Sequence, residues 1–466
     1  MKNQCFNPFL PSWEYIPDGE PHVFGDRVYI YGSHDMFNGW VFCINDYICY
    51  SAPVDDLSDW KYEGVIYERN ADPLNKDGKM CLYAPDVTRG SDGRYYLYYV
   101  LDRDCVVSVA VCDTPAGKYK FHGYVKYPDG TLLGKADGDE PQFDPGVLTE
   151  GDVTYLYTGF CGHGDKSRSG CMATVLEADM LTVKEPPVFV IPSDTHSAGT
   201  GFEGNEIFEA PSIRKFGDTY YLVYSSVKMT NLSYATSKHP TKDFVYGGVI
   251  ISCADLGIDT YKPADKPANV VNNNHGGIEK IGENYYIFYH RHTNGTPFSR
   301  QACVEKIAIE TDGSIAQVEA TSQGANGAPL LGKGEYPAYI ACNLFYLDDC
   351  EKHPKLTQDG KDGDEELGYV TNIHNGAVIG FKYFDCKGVQ KITVKTRGYG
   401  HGAFDVRLSP TGETLGSIKI DSANQWTEFS GDIAIPDGVH ALYFVYCGGE
   451  SWGMNSLGFG GMSIDN

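Results

Sequence analysis

Five ionisable side chains stand at one register of this chain. Asp18, Asp86, Asp144 and His275 each lie seven residues ahead of a glycine (Gly25, Gly93, Gly151 and Gly282), and Glu209 lies eight ahead of Gly217. Gathered in one space, such a set suits acid–base hydrolysis. Crowded carboxylates repel, so one gains proton affinity and stays protonated while another remains ionised. Cleavage of a glycosidic bond needs that division, with an acid to protonate the leaving oxygen and a carboxylate on the opposite face to activate water. Glu209, the only glutamate of the set, has the extra methylene to reach a leaving group and is the natural acid. Any one of these acids taken alone reads as a turn former. Turn chemistry would also accept Asn, Ser or Gly, yet none stands at the five places.

A repeated phrase shows how the five are carried. After each glycine comes a tyrosine-rich apolar run: GDRVYIYGSHD from Gly25, GRYYLYYV from Gly93, GDVTYLYTG from Gly151, GDTYYLVYSS from Gly217 and GENYYIFYHR from Gly282. The glycines are 68, 58, 66 and 65 residues apart, and a near-constant period of this size marks one supersecondary unit copied along a line or around an axis. The runs read as strands bounded by turn signals, with two to four further strand-like stretches between copies and almost no helical periodicity. Five such units predict a five-bladed β-propeller. Its innermost strands surround a channel, and a proline close to four of the acids (Pro17, Pro85, Pro145, Pro211) places each acid at a strand's start, at the channel mouth. Symmetry puts the base across the ring from Glu209 and leaves Asp18 and Asp86 as equal candidates. Asp35, ending GSHD, reads as a hydrogen-bonding turn residue, and His290, Arg291 and His292 fit a surface cluster and a pocket role equally well.

Composition narrows the partners. A formal charge of -24 argues against nucleic acid and favours a neutral ligand. The first residues have no apolar stretch suited to a signal peptide, and no segment approaches a membrane span. Fourteen scattered cysteines without a CxxC pair are expected to be reduced, mostly buried thiols. These features point to a cytoplasmic protein. Past about Glu310 the repeat ends. A charged stretch, 348–366, reads as a surface loop, and from Tyr369 short strands resume at sandwich spacing. The expected fold is all-β: a five-bladed propeller over residues 1–325 and a jelly-roll-like β-sandwich over 326–466, with PAYIACNLFYL (337–347) as its opening segment.

The phrases IPDGEPHVFGDRVYIYGSHD, LYAPDV, FDPGVL, FEAPSIRKFGDTYYLVYSS, NNHGGI and YYIFYHR cover nearly all of residues 7–305. Together they resemble glycoside hydrolase family 43. The resemblance implies that Asp18 is the general base, Asp144 raises the acid's pKa and orients it, and Glu209 is the general acid. It also implies that His275 is the axial histidine that approaches a metal or bound water, and that Tyr83, Asp86, His275 and Arg300 line the substrate site. No cofactor is required by such chemistry, and a structural Ca2+ near the axis is the one metal to expect. The phrases GFKYFDCKG, ITVKTRGYGHGAFDVRL, GVHALYFVY and SLGFGG resemble carbohydrate-binding module family 6, in which an exposed tyrosine or Trp452 would stack on a sugar. A sandwich that packs on the propeller and narrows its pocket is the favoured reading over a polymer-binding module.

The family implies an exo-acting, inverting glycosidase that releases terminal α-L-arabinofuranose, β-D-xylose or both from small hemicellulose-derived oligosaccharides. The same machinery aimed at β-galactofuranose or arabinan is the enzymatic alternative. A non-catalytic propeller lectin is the other.

Overall fold

The computed structural model describes residues 4–258, 261–348, 352–449 and 457–466; Trp452 lies outside them. The chain is all-β, with five small sheets in a ring followed by a two-sheet sandwich. Four blades (20–67, 86–124, 146–192 and 207–252) are four-stranded antiparallel sheets in chain order. The fifth, 278–307, has three strands. Alongside its last strand, Gln301–Ile307, lies the N-terminal segment: Phe9 N–H donates to the Ala302 carbonyl (3.2 Å) and the Asn7 side chain bonds both the N–H and the carbonyl of Val304 (2.9 Å each). The first and last blades meet at the axis, where Gly19 bridges Gly276 in parallel.

The repeated phrase builds the first hairpin of each blade. Its glycine takes the left-handed turn in every copy (φ 68°, 84°, 60°, 63° and 59° at Gly25, Gly93, Gly151, Gly217 and Gly282), where any side chain would be strained. The tyrosine-rich run after it becomes the second strand, sandwiched between neighbouring blades. That position explains the tyrosines: the ring fills the wide gap between twisted sheets, and the hydroxyl finds a carbonyl elsewhere in the propeller. Tyr31 bonds the Pro115 carbonyl (2.8 Å), Tyr98 that of Met180 (2.7 Å) and Tyr224 that of Asn205 (2.7 Å).

Within the expected span of 326–466, two short strands begin before the segment 337–347 read as the sandwich's opening. Leu330–Leu331 already pairs in parallel with Ala377–Cys386, and Gly334–Pro337 pairs with Gly458–Asp465. These two short strands were hidden by the glycines around them. Two six-stranded sheets enclose one apolar core that includes Ile379, Phe381, Phe404, Phe444 and Phe459. The described cysteines are free thiols, most of them buried.

The two domains share a buried polar seam. Lys382 of the sandwich is fully buried and its ammonium lies 2.9 Å from Asp255 and 3.3 Å from Glu319. Burial alone would push the Asp255 carboxyl up, but the Lys382 ammonium outweighs it and holds the group below its ordinary value. Arg291, at the end of the fifth blade's phrase, donates to the carbonyls of Ala341 and Cys342 (3.1 and 2.9 Å). Leaving Asp255 charged and unpaired in such a seam costs about 3–5 kcal/mol. Lys382→Ala is therefore expected to lower the thermal unfolding midpoint of the full chain by several degrees. An unchanged midpoint in scanning calorimetry would show that the pair does not hold the domains together.

Candidate active site

The five registered residues reach the axis at the innermost strands. Asp18, Asp144 and His275 precede an innermost strand, Asp86 opens one, and Glu209 stands third in Ile207–Phe216. Asp18 and Asp144 have left-handed backbones (φ 57° and 45°), and so does Ala210 beside Glu209 (φ 66°). In blade four the ladder slips between Glu209 and Ser212, a bulge that re-aims the glutamate. Non-glycine residues in this region cost about 1–3 kcal/mol each and gather at functional sites. All five registered side chains are buried.

Asp18 is the most heavily tied. Its Oδ1 accepts from Arg300 Nη1 (2.8 Å), its backbone N–H meets His290 Nδ1 (3.3 Å), and His275 Nδ1 lies 3.9 Å from the same Oδ1. Arg300 is itself held by Asp35, with its Nε 2.8 Å from Oδ2, its Nη2 3.0 Å from Oδ1 and its backbone N–H 3.1 Å from Oδ2. Asp144 Oδ2 lies 3.8 Å from His275 Nδ1, and its carboxylate takes the Ala210 N–H. Burial and the negative charge of Asp18 push Glu209 up to about 7, against the pull of Arg300 and a hydrogen bond from Asn273. Burial, then Glu209 and Asp18, hold Asp144 well above the usual carboxylate range. One ring thus contains an ion-paired carboxylate and two acids that favour their protons, the division that acid–base hydrolysis needs.

Asp86 does not join them. It is fully buried at the start of its strand, with Oδ1 2.6 Å from His22 Nε2 and 2.7 Å from the Val87 N–H, and Oδ2 2.7 Å from the Val147 N–H. Oδ1 is taken by His22 of blade one and the Val87 N–H of its own strand, and Oδ2 by the Val147 N–H of blade three, so Asp86, expected to line the substrate site, ties blades one, two and three together. Registration placed Asp86 at the axis rightly, but it could not show that a strand's first residue turns its carboxylate onto adjacent amides.

Tyr83 is half-buried at the head of a file of aromatic rings, with Phe143 5.6 Å away, Phe160 5.3 Å from Phe143 and Phe208 5.3 Å from Phe160. Phe143 and Phe208 immediately precede Asp144 and Glu209, so the file accompanies the acids around the mouth. Arg300 is buried against Asp18 and Asp35, and its guanidinium also faces the Phe42 ring at 4.8 Å. His290, Arg291 and His292 are all buried, not a surface cluster. His290 supports Asp18, while Arg291 faces the sandwich. Asp35 is no turn former but the partner of Arg300. Asn273 was missed, although three asparagines in a row before His275 were a signal of a polar pocket wall.

Below this ring lies a second one. His275 Nε2 is 3.9 Å from Glu20 Oε1, a buried oxygen without a hydrogen-bond partner. Among the described residues, Glu20, His22 and Asp86 form the one group with metal-ligand spacing, their atoms within 4.8 Å of one another. Arg214 already serves it, with Nη2 3.0 Å from Glu20 Oε2 and 3.2 Å from His22 Nε2, and Nε 3.2 Å from Glu279. Ca2+ needs six to eight oxygens, so three donors beside a resident guanidinium do not fit it.

Comparison with known proteins accords with this geometry. Residues 9–315 match the model of glycosyl hydrolases family 43, and residues 352–460 match carbohydrate binding module family 6. A protein of Thermoclostridium stercorarium named xylosidase/arabinosidase is 65% identical over 98% of this chain and 99% of its own. A family 43 arabinoxylan arabinofuranohydrolase from Bacillus subtilis, solved with cellotetraose, shares the fold over 98% of this chain and 97% of its own (TM-score 0.54, 21% identity). A family 43 β-xylosidase/α-arabinofuranosidase from a compost metagenome, solved with xylotriose, superposes on 68% of this chain and 98% of its own (TM-score 0.53, 25% identity). A ring of buried carboxylates at the mouth of a five-bladed propeller, matched over two thirds of the chain, makes this protein a glycosidase and a member of glycosyl hydrolases family 43.

Proposed function

We propose that the protein is an exo-acting, inverting glycosidase that removes a terminal pentose, α-L-arabinofuranose or β-D-xylose or both, from short oligosaccharides. The observation that carries this reading is the division of charge at the mouth. Asp18, ion-paired to Arg300, is the general base that takes a proton from water. Glu209, pushed up to about 7, is the general acid that gives a proton to the leaving oxygen. Asp144, bonded to the backbone beside Glu209, orients the acid and keeps its proton affinity high. The 65% identity to a xylosidase/arabinosidase over the full chain supports the choice of sugar. Inversion as proposed requires the base and the acid to stand roughly 6.5–9.5 Å apart, with a water between base and sugar. Both reacting groups are side chains, so the reaction as proposed draws on no cofactor.

The roles separate by leaving group. A nitrophenol departs readily without a proton, whereas a sugar alcohol does not. On arabinose- or xylose-capped oligosaccharides, Glu209→Gln and Asp18→Asn are each expected to lose about 10²–10⁴-fold in kcat/KM. On 4-nitrophenyl pentosides Asp18→Asn should lose as much, while Glu209→Gln should lose far less. Equal losses for both variants on both substrates would refute the division of roles. A panel of 4-nitrophenyl α-L-arabinofuranoside, β-D-xyloside and β-D-galactofuranoside, with arabinan beside it, tests the sugar. Turnover confined to the last two would overturn the pentose reading.

The pH dependence has a definite sign. A general acid works only while protonated, so activity is retained below the raised value of Glu209 and is lost as pH climbs through about 7. The profile of kcat/KM, which reports the free enzyme, should bend downward near that pH on oligosaccharides. Glu209→Gln should lack the bend.

A further inference from the structure

A segment of the sandwich reaches across the propeller mouth to the two loops that hold Arg300. It begins at the strand Lys355–Thr357, where the Leu356 N–H donates to the Thr293 carbonyl (2.7 Å) in the blade-five loop that leads to Arg300. It ends where the Gly368 N–H meets Ser12 Oγ (2.8 Å). Between these points, Asp362 takes two hydrogen bonds from the blade-one loop 32–46: Phe37 N–H on Oδ1 at 2.7 Å and Asn45 Nδ2 on Oδ2 at 3.1 Å. That loop carries Asp35. Asn45 Nδ2 also donates to the Asp35 carbonyl (3.0 Å), and the Asn45 N–H donates to that of His34 (2.9 Å). A continuous polar path therefore runs from Asp362 through Asn45 and Asp35 to Arg300 and Asp18.

The blade-one loop has need of an outside support. It is fifteen residues long without regular structure between its flanking strands, and Trp40 at its tip is 68% exposed. Besides the Asp35 N–H on the Tyr15 carbonyl (2.9 Å) and Arg69 on Asp46 (3.0 Å), it is tied to the blade-five loop (Asn294 Nδ2 to Asn38 Oδ1, 2.7 Å; Ser299 Oγ to the Met36 carbonyl, 3.0 Å), which the same sandwich segment touches at Thr293. A carboxylate facing a backbone N–H and a side-chain amide makes charge-assisted hydrogen bonds, stronger than neutral ones. The segment is braced in turn: Lys361 N–H donates to Asp364 Oδ2 (2.8 Å), Gln358 Nε2 to the Lys361 carbonyl (3.2 Å), and Arg397 pairs with Asp359.

We propose that Asp362 is a positioning residue for the hydrolytic reaction, fixing through Asn45 and Asp35 the guanidinium that orients Asp18. This rests on the reading of Asp18 as the base. It makes the sandwich a contributor to the rate of turnover even of a small aryl pentoside.

The test uses the full chain and whichever 4-nitrophenyl pentoside the wild type cleaves best. Misplacing a reacting group by an ångström costs about 10²-fold; with one of several supports removed, Asp362→Ala is expected to lower kcat about tenfold and change KM by less than about twofold. Asp362→Asn keeps an acceptor for the Phe37 N–H and should recover part of the loss. Asn45→Ala should lower kcat similarly, and the double variant should be no worse than the more impaired single one, since residues on one path are not additive. Lys361→Ala, on the same loop, should behave as wild type. Unchanged kcat per folded molecule in Asp362→Ala, or additive losses in the double variant, overturns the proposal. A merely structural loop would move the melting midpoint and leave kcat in place. Failure of the base assignment would appear separately, as activity retained in Asp18→Asn.

Discussion

Arg300 is shared between two buried carboxylates, and the electrostatics of the propeller mouth depend on that sharing. Asp18, Asp35, Asp144 and Glu209 crowd one end of the channel, and at an effective dielectric near 20 two like charges about 4 Å apart repel by roughly 4 kcal/mol. All four cannot ionise together. The guanidinium forks onto Asp35 through Nε and Nη2 and reaches Asp18 through Nη1, a geometry that lysine's point charge cannot supply. It binds those two carboxylates, while burial and then the neighbouring carboxylates raise the proton affinity of Asp144 and Glu209. The arginine fork thus separates the two carboxylates it pairs from Asp144 and Glu209, whose proton affinity burial raises.

The same logic is repeated one layer down. Burial and the Asp86 charge push Glu20 up to about 8, against the pull of Arg214, and Arg214 forks among Glu20, His22 and Glu279. His275 stands between the tiers, its Nδ1 toward Asp18 and Asp144 and its Nε2 toward Glu20. Burial lowers its proton affinity although Asp18 works the other way. A neutral imidazole there can donate on one side and accept on the other without adding charge to either tier. Two buried arginines, Arg300 and Arg214, each serve a different set of acids.

How much of this a sequence can show depends on whether a feature repeats. The blades, the hairpin glycines and the ring Asp18, Asp144, Glu209 and His275 were legible because five copies fix a register. Asp86 obeyed the register yet faces neighbouring amides, since its strand starts at the acid itself, two residues sooner than after Asp18 or Asp144. Asp35, Asn273 and His290 belong to loops and strand ends that occur once, and their roles arise from contacts over more than 250 residues for Asp35 and His290 (Asp35 with Arg300, His290 with Asp18). Nothing local encodes such a pairing. The short opening strands of the sandwich escaped for another reason: two to four residues amid glycines carry no periodicity to read.

The sandwich illustrates how a sugar-binding framework can be turned inward. Tyr369 and Trp426 stand with ring centroids 5.3 Å apart, half-buried on one sheet, and Gly460 leaves the space that Trp426 occupies. Such a pair is what an aromatic platform for a sugar would offer. Here the guanidinium of Arg397 fills it, 4.8 Å from the Tyr369 ring and 4.4 Å from the Trp426 ring, and the same guanidinium pairs with Asp359 at the root of the segment that carries Asp362. A cation held over two rings is a firm anchor for a loop. The aromatic pair thus anchors, through Arg397 and Asp359, the segment whose Asp362 meets the blade-one loop.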